Sequence, residues 1–135
     1  MSRRCTNRII EMKLILNMPF ITLNEYINAE RTNKFKAAKI KQQQTNSVAY
    51  LAMEQKFKLP DNKHDVIFTW YKPNNRQDHD NICFAKKFLM DGLIKAKALK
   101  DDSPIYIGNF HDIFVLDKTR NYISCMVEFA ECKNI

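Results

Sequence analysis

The alternation of apolar and polar residues along the chain predicts four β-strands. Alternating or short continuous apolar runs, rich in β-branched and aromatic residues, are typical of strands. Such runs occupy residues 12–17, 64–71, 105–116 and 122–129. The polar segment between the last two runs, residues 117–121, predicts a hairpin turn that joins them.

Longer segments between these strands have helical character and predict three helices. They cover residues 22–30, 34–57 and about 80–99. The first begins with Thr22 and has Glu25 three residues later, which is the signature of a capping box. The third begins with acidic residues, which suit the positive end of the helix dipole. The starts of these two helices are therefore the best marked.

The predicted elements follow one another in the order β-α-α-β-α-β-β. We therefore expect an α+β fold, a single domain with a mixed β-sheet and packed helices. A chain of 135 residues is long enough for one hydrophobic core but not for two. The domain is predicted to span residues 12–135, after a basic N-terminal extension, residues 1–11, that lies outside the fold and need not be ordered.

The charge of the chain is uneven. A formal net charge of +7 and a pI near 9.3 suit a nucleic-acid partner, although a basic solvated surface gives the same composition. Residues 1–58 hold eleven Lys and Arg against four Asp and Glu, whereas residues 59–135 hold eleven of each. The first half of the second helix carries much of this excess. We therefore predict DNA-binding lysines at Lys34, Lys36, Lys39 and Lys41, acting through phosphates.

The cysteines and the hydropathy pattern exclude several classes of protein. The four cysteines have neither the paired spacing of a zinc ribbon nor the density of a disulfide framework, which is typical of reduced thiols and predicts a cytoplasmic protein. No apolar run approaches the ~20 residues of a membrane span. Glu11 and Lys13 interrupt any signal-like apolar segment, which argues against secretion.

Acidic residues gather in one stretch of this basic chain. Residues 74–103 contain five of the fifteen Asp and Glu, among them Asp78, Asp80, Asp101 and Asp102. Neighbouring carboxylates repel one another unless a cation screens them, and oxygen ligands of this kind suit Mg²⁺. Any single aspartate here is more simply a helix cap or a turn residue. The set as a whole favours a divalent-metal site that acts on a phosphodiester.

Other chemistries fit the same stretch less well. An EF-hand loop that started at Asp78 would need a glycine and a glutamate where Cys83 and Leu89 stand. His79 and Cys83 are too few ligands for a structural zinc site. A nucleophilic pair of Cys83 and His111 has no local support in the sequence. Oxygen ligands for a hard metal ion remain the favoured interpretation.

The order of these motifs resembles the RusA family of Holliday junction resolvases, which are often carried by prophages. The motifs are Asp78-His79-Asp80-Asn81, a lysine on the following helix, Asp91-Gly92-Leu93 and Asp101-Asp102. An earlier segment, Pro19-Phe20 followed by Leu23-Asn24-Glu25-Tyr26, is similar to that family as well. The resemblance covers roughly residues 12–130.

The resemblance implies a homodimeric, Mg²⁺-dependent endonuclease that acts in DNA recombination and repair and cuts four-way junctions symmetrically. It assigns metal binding and catalysis to Asp78, Asp80 and Asp102. The chain between Asn81 and Asp91 is about three residues longer than the spacing typical of the family, which leaves the catalytic lysine open between two neighbours.

The positions of Lys86 and Lys87 around a predicted helix indicate which of them is the catalytic lysine. In one continuous helix from Asp80, Lys87 and Asp91 each lie within about 20° of the direction of Asp80, whereas Lys86 lies about 120° away. We therefore predict that Lys87 is catalytic and that Lys86 binds DNA. Two other functions stay open: a DNA-junction-binding protein that does not cleave, and a metal-dependent nuclease with broader or RNA substrates.

Overall fold

The computed structural model describes residues 10–132. The strands are β1 (Ile10–Leu16), β2 (His64–Lys72), β3 (Ile107–Leu116) and β4 (Ser124–Glu131). The helices are α1 (Leu23–Thr32), α2 (Lys34–Glu54), α3 (His79–Cys83) and α4 (Lys86–Lys95). The fold is a single α+β domain with a mixed four-stranded sheet, as the sequence predicts.

The strands lie in the order β1-β4-β2-β3. β4 is antiparallel to both β1 and β2, and β3 is parallel to β2. The segment with α3 and α4 is therefore the crossover that connects the two parallel strands, as parallel pairing requires. β1 and β3 are the two edges of the sheet.

One face of the sheet supplies the hydrophobic core. Alternate residues of a strand share a face, and the strand residues of the core cluster in β1, β2 and β4 fall on one such row in each strand, although Ile67 and Ala130 are buried on the opposite row. This helix-covered face includes Leu14, Leu16, Val66, Phe68, Trp70, Cys125, Val127 and Phe129. α2 and α4 cover it with residues such as Val48 and Leu89. The opposite face exposes Ile15 and Ile113.

The helix starts have the chemistry that the sequence indicates. In α1 the Thr22 hydroxyl accepts a hydrogen bond from the Glu25 amide at 3.3 Å, and the Glu25 carboxylate accepts one from the Thr22 amide at 3.0 Å. The predicted capping box is confirmed. Asn33 caps α2 in the same manner, because its side-chain oxygen accepts from the Phe35 amide at 2.8 Å.

The third predicted helix is two helices rather than one. Between α3 and α4 the Ala85 amide donates to Ile82 and the Lys87 amide donates to Phe84, each three residues back. Such 3₁₀ bonds advance the chain ~120° per residue instead of ~100°. The prediction of one continuous helix from Asp80 is therefore wrong, and the register that placed Lys87 on the side of Asp80 no longer follows from it.

The predicted hairpin at residues 117–121 is also wrong. β3 and β4 follow one another in the chain, but β2 lies between them in the sheet. The Asp117 amide donates to the Lys72 carbonyl at 2.8 Å, so the connection crosses the end of β2. Local turn residues mark a reversal of the chain but do not decide which strand becomes the neighbour.

The start of the domain differs slightly from the prediction. Ile10 and Glu11 belong to β1, where Ile10 is opposite Ala130, so the predicted extension is two residues too long. Residues 1–9 of that extension, and the end of the predicted domain after residue 132, lie outside the described residues. Within residues 10–132, no helix is long and apolar enough to cross a membrane.

Candidate active site

The crossover begins with two exposed carboxylates. Asp78 is the N-cap residue of α3, in an extended conformation, but its side chain makes no capping hydrogen bond. Asp80 lies in the first turn of the same helix. Neither carboxylate has a hydrogen bond or an ion pair with the described residues. Both are therefore available to a ligand from solvent.

A buried asparagine holds this start in place. Asn81 is 7% exposed, and its side-chain oxygen accepts a hydrogen bond from the Asn24 amide of α1 at 2.9 Å. Its side-chain nitrogen donates to the Gln77 side chain. The residue after Asp80 thus ties α3 to α1, because a buried amide needs such partners.

The N-terminus of α3 packs against the end of β3. The His79 ring stacks on the Phe114 ring, with centroids 3.7 Å apart and planes within 6°. Asp78 and Asp80 flank this stacked residue, so His79 fixes the helix start over the sheet. The stacking on Phe114 gives His79 a structural role at this position.

A half-buried ion pair joins Lys86 of α4 to Asp112, which lies two residues before Phe114 in β3. Lys86 Nζ donates to Asp112 Oδ2 at 2.8 Å, and Trp70 Nε1 donates to the other oxygen, Oδ1, at 2.9 Å. Lys86 Nζ also lies 4.8 Å from the centroids of both the Phe68 and the Phe110 rings, within cation–π range. Asp112 and its indole partner therefore fix the position of the lysine.

The Cys83 thiol lies within electrostatic reach of both the Lys86–Asp112 ion pair and Asp80. The pKa of its thiol is raised to about 11, chiefly by burial and then by the negative charge of Asp112, while Lys86 lowers it. Asp80 raises the same pKa, so its carboxylate lies within electrostatic reach. With this pKa the thiol stays protonated at neutral pH and is a poor nucleophile.

The Cys83–His111 pair has a second argument against it. Asp112 raises the pKa of the Cys83 thiol, so Cys83 lies close to Asp112, on the helix-covered face of β3. His111 precedes Asp112 in the strand, and successive side chains of a strand point to opposite faces. The strand therefore separates the two side chains.

Asp102 is at the other end of the crossover. It is exposed and lies five residues before Ile107, the first residue of β3, whereas His79 stacks near the end of that strand. A strand of 10 residues spans about 30 Å. In agreement, the described residues contain no group of three or more His, Cys, Asp or Glu that could hold a metal ion. Asp78 and Asp80 are two residues apart at the start of α3, and Asp102 does not join them within one chain.

The predicted basic residues are mostly on the surface. All four lysines of α2 (Lys34, Lys36, Lys39 and Lys41) and Lys87 of α4 are exposed. In the first two turns of α2 only Ala37 is buried. This half of the helix therefore projects into solvent with its charges free to meet a polyanion.

Two residues of this region were missed by the sequence analysis. Asp112 stands within a predicted apolar strand, and Lys72 directly follows the predicted strand 64–71, which the structure extends to include it. In each case the signal was a charged residue on the row that faces the core. Such a residue is costly to bury without a partner, so it marks a position with a specific interaction.

Comparisons with known proteins leave the family open. No family model matches this sequence, and no curated protein matches it with statistical significance. The resemblance to RusA proteins therefore rests on the motif residues alone. What fold and geometry define together is an α+β domain with a pair of exposed carboxylates at the start of its crossover.

Proposed function

We propose that this chain is a Mg²⁺-dependent crossover junction endodeoxyribonuclease, which hydrolyses paired phosphodiesters in four-way DNA junctions. The observation that carries the proposal is the pair Asp78 and Asp80. Both are exposed, neither has a partner among residues 10–132, and buried Asn81 holds the start of their helix in place. Carboxylates that nothing neutralises, in a chain of net charge +7, suit a metal ion shared with a polyanion.

The residues at the start of the crossover have separate roles in this proposal. Asp78 and Asp80 supply oxygen ligands to Mg²⁺, which suit that ion. When bound, Mg²⁺ lowers the pKa of a coordinated water and screens the charge of a phosphate. Lys86 is held by Asp112, and in this proposal it stabilises negative charge that develops on the phosphate.

The third carboxylate requires a second copy of the chain. β3 is an edge strand of ten residues with no Lys, Arg or Pro, and it exposes Phe110 and Ile113. Natural edge strands of that length are normally blunted by charge or proline, or covered. Pairing of β3 with its own copy about a two-fold axis satisfies this edge and makes a homodimer.

Such a dimer also changes the position of Asp102. Two β3 strands related by a two-fold axis run antiparallel, so the start of one lies beside the end of the other. The loop with Asp102 from one protomer is thereby brought towards Asp78 and Asp80 of its partner. Each composite site then holds the three carboxylates that a single chain leaves apart.

Branched DNA is the proposed substrate, and the projecting half of α2 is its main contact. Lys34, Lys36, Lys39 and Lys41 are exposed on it. Lysines contact phosphates without reading the sequence, so this surface responds to the shape of the DNA. A non-cleaving junction-binding protein is the second candidate, favoured by the absence of a three-carboxylate group among residues 10–132 of one chain.

Cleavage of matched substrates tests the proposal. Purified protein is incubated with a four-way junction, a duplex and a single strand, with and without Mg²⁺. We expect cleavage of the junction only with Mg²⁺. Asp80→Asn should reduce the rate at least ~100-fold, the cost of removing one essential charged group, while junction binding is kept or becomes tighter.

Asp61→Asn is the matched control. Asp61 is exposed in the turn before β2, so this variant loses the same charge away from the site and should cleave like the wild type. Undiminished cleavage by Asp80→Asn would remove Asp80 from the site. Binding of the junction without cleavage of any substrate in Mg²⁺ would support the second candidate instead.

A further inference from the structure

A polar pocket lies beside the acidic start of the crossover. Its volume is about 320 Å³, within the range of small-ligand sites. The end of β2, the residues before α1 and the connection between β3 and β4 form its walls. Gln77, the residue immediately before Asp78, is part of its lining. The pocket therefore opens next to the candidate active site but does not include its carboxylates.

A buried lysine lines this pocket. Lys72 is the last residue of β2, on the same row as Phe68 and Trp70, which face the core. It is only 9% exposed. No described residue accepts a hydrogen bond from its ammonium group or forms an ion pair with it. Its ammonium nitrogen is not among the buried side-chain atoms that lack a hydrogen-bond partner. The stem of the lysine is therefore buried while its charged end reaches the open space of the pocket, where an anion can pair with it.

A second cation lines the same pocket. Arg76 is exposed, and its guanidinium group has no carboxylate partner among the described residues. The one carboxylate among the lining residues is Glu25, whose Oε1 already accepts from the Thr22 amide and hydroxyl at 3.0 and 2.9 Å. Two cations thus face one carboxylate that is committed to capping α1. The charge of the pocket is complementary to a phosphate.

We propose that the pocket of Lys72 and Arg76 binds a backbone phosphate of the DNA next to the phosphate that is cleaved. The inference rests on the proposed function and adds a binding subsite to it. An ammonium group and a guanidinium group together can hold a phosphate through charge-assisted hydrogen bonds. Because Gln77 joins the pocket to Asp78, a strand held there passes directly over Asp78 and Asp80.

Equilibrium binding without Mg²⁺ tests this subsite independently of cleavage. The affinity for a synthetic four-way junction is measured over a range of salt concentrations. Lys72→Met should weaken binding by about 10-fold and reduce the salt slope by about one, as expected for the loss of one phosphate contact. Arg76→Gln should have a similar effect. Met suits a position on the core-facing row, and exposed Arg76 provides a variant that does not disturb the core.

Lys58→Met is the matched control. Lys58 is exposed after the end of α2, outside the pocket lining, so the same change of charge should leave affinity and salt slope nearly unaltered. Wild-type affinity and salt slope in both folded pocket variants would overturn the proposal. If the protein cleaves junctions and these variants bind normally, the subsite fails while the proposed function stands.

Inorganic phosphate distinguishes a DNA subsite from a site for free phosphate. The melting temperature of wild-type protein and of Lys72→Met is measured with increasing phosphate, with chloride at equal ionic strength as reference. A DNA subsite predicts weak stabilisation by phosphate, lost in Lys72→Met, together with weaker junction binding by that variant. Stabilisation by phosphate that depends on Lys72, with unchanged junction binding, overturns the assignment to DNA.

Discussion

The two ends of the crossover between β2 and β3 differ in how firmly their carboxylates are held. At its start, Asp78 and Asp80 flank a histidine stacked on Phe114, and buried Asn81 ties the helix to α1. At its end, the Asp102 side chain makes no hydrogen bond or ion pair with the described residues. Only its amide is bonded, to the preceding Asp101 side chain at 2.8 Å.

This difference in how firmly the carboxylates are held indicates which of them have a fixed position within one chain. A catalytic group must be held within a fraction of an ångström by its neighbours. The start of the crossover has such neighbours, whereas the Asp102 side chain has no hydrogen-bond or ion-pair partner among residues 10–132 of its own chain. If Asp102 takes part in catalysis, another surface must position it, and the partner protomer is the surface that we propose.

Mixing two inactive variants tests whether the start of the crossover in one protomer meets the end of the crossover in its partner. It has the largest expected effect on cleavage of the predictions made here. Asp80→Asn and Asp102→Asn alone should each be nearly inactive. In mixed dimers a composite arrangement leaves one site with all its carboxylates intact. After subunit exchange about a quarter of all sites should be active, and because a mixed dimer has only one such site, the product should be a nicked junction.

The combination of Asp78→Asn with Asp80→Asn is the internal control. Both changes affect the start of the crossover, so no mixed dimer has an intact site and no activity should return. If the first mixture is equally inactive although its subunits exchange, Asp102 acts within its own chain or not at all. A strict monomer of about 16 kDa by light scattering, where cleavage is efficient, would exclude the dimer itself.

The two adjacent lysines of α4 also differ in how firmly they are held. Lys86 is held by Asp112, whereas Lys87 is exposed and its ammonium group has no partner in the described part of the chain. The prediction that Lys87 is catalytic assumed one continuous helix from Asp80. The structure has two helices there, α3 and α4, so that reason for preferring Lys87 no longer holds. We therefore expect Lys86→Met to slow cleavage by about 100-fold and Lys87→Met to weaken junction binding modestly.

Two measurements separate chemistry from folding in this pair. Thermal unfolding shows whether loss of the Lys86–Asp112 ion pair destabilises the domain, and single-turnover rates with saturating enzyme remove differences in binding. Lys86→Arg retains the charge beside Asp112 and should recover part of the lost rate. The opposite ranking of the Lys86 and Lys87 variants would restore the original register.

The smallest expected effect concerns the end of the crossover. Lys97 follows α4 with φ of 59°, in the left-handed region that favours glycine. The following amide of Ala98 donates to Leu93, which closes the helix. Lys97→Gly should raise the free energy of unfolding by about 1 kcal/mol and leave cleavage unaltered, since this end holds no positioned group. Denaturant unfolding measures the gain, and a loss of activity would show that the loop with Asp102 depends on Lys97.

The elements of the fold could be predicted because their signals are local. The strand 64–71 has the β-branched and aromatic residues that suit a sheet, and the Thr22–Glu25 pair specifies a helix start through bonds only three residues apart. The positions of Asp78 and Asp80 at the start of a helix followed from the same kind of reasoning. These features depend on neighbours in the chain, so a single sequence contains them.

The partners of each element were decided only by the tertiary structure. β4 lies beside β2 and not β3, because the connection crosses the end of β2 to complete the hydrophobic face of the sheet. The ion pair of Lys86 with Asp112 joins residues 26 apart in the chain, and the pocket that contains Lys72 is lined by three separate segments of the chain. Contacts of this kind arise from packing between distant segments, and local propensity carries no information about them. The sequence by itself determined which residues are carboxylates, lysines and strand formers, whereas packing determined which of them meet.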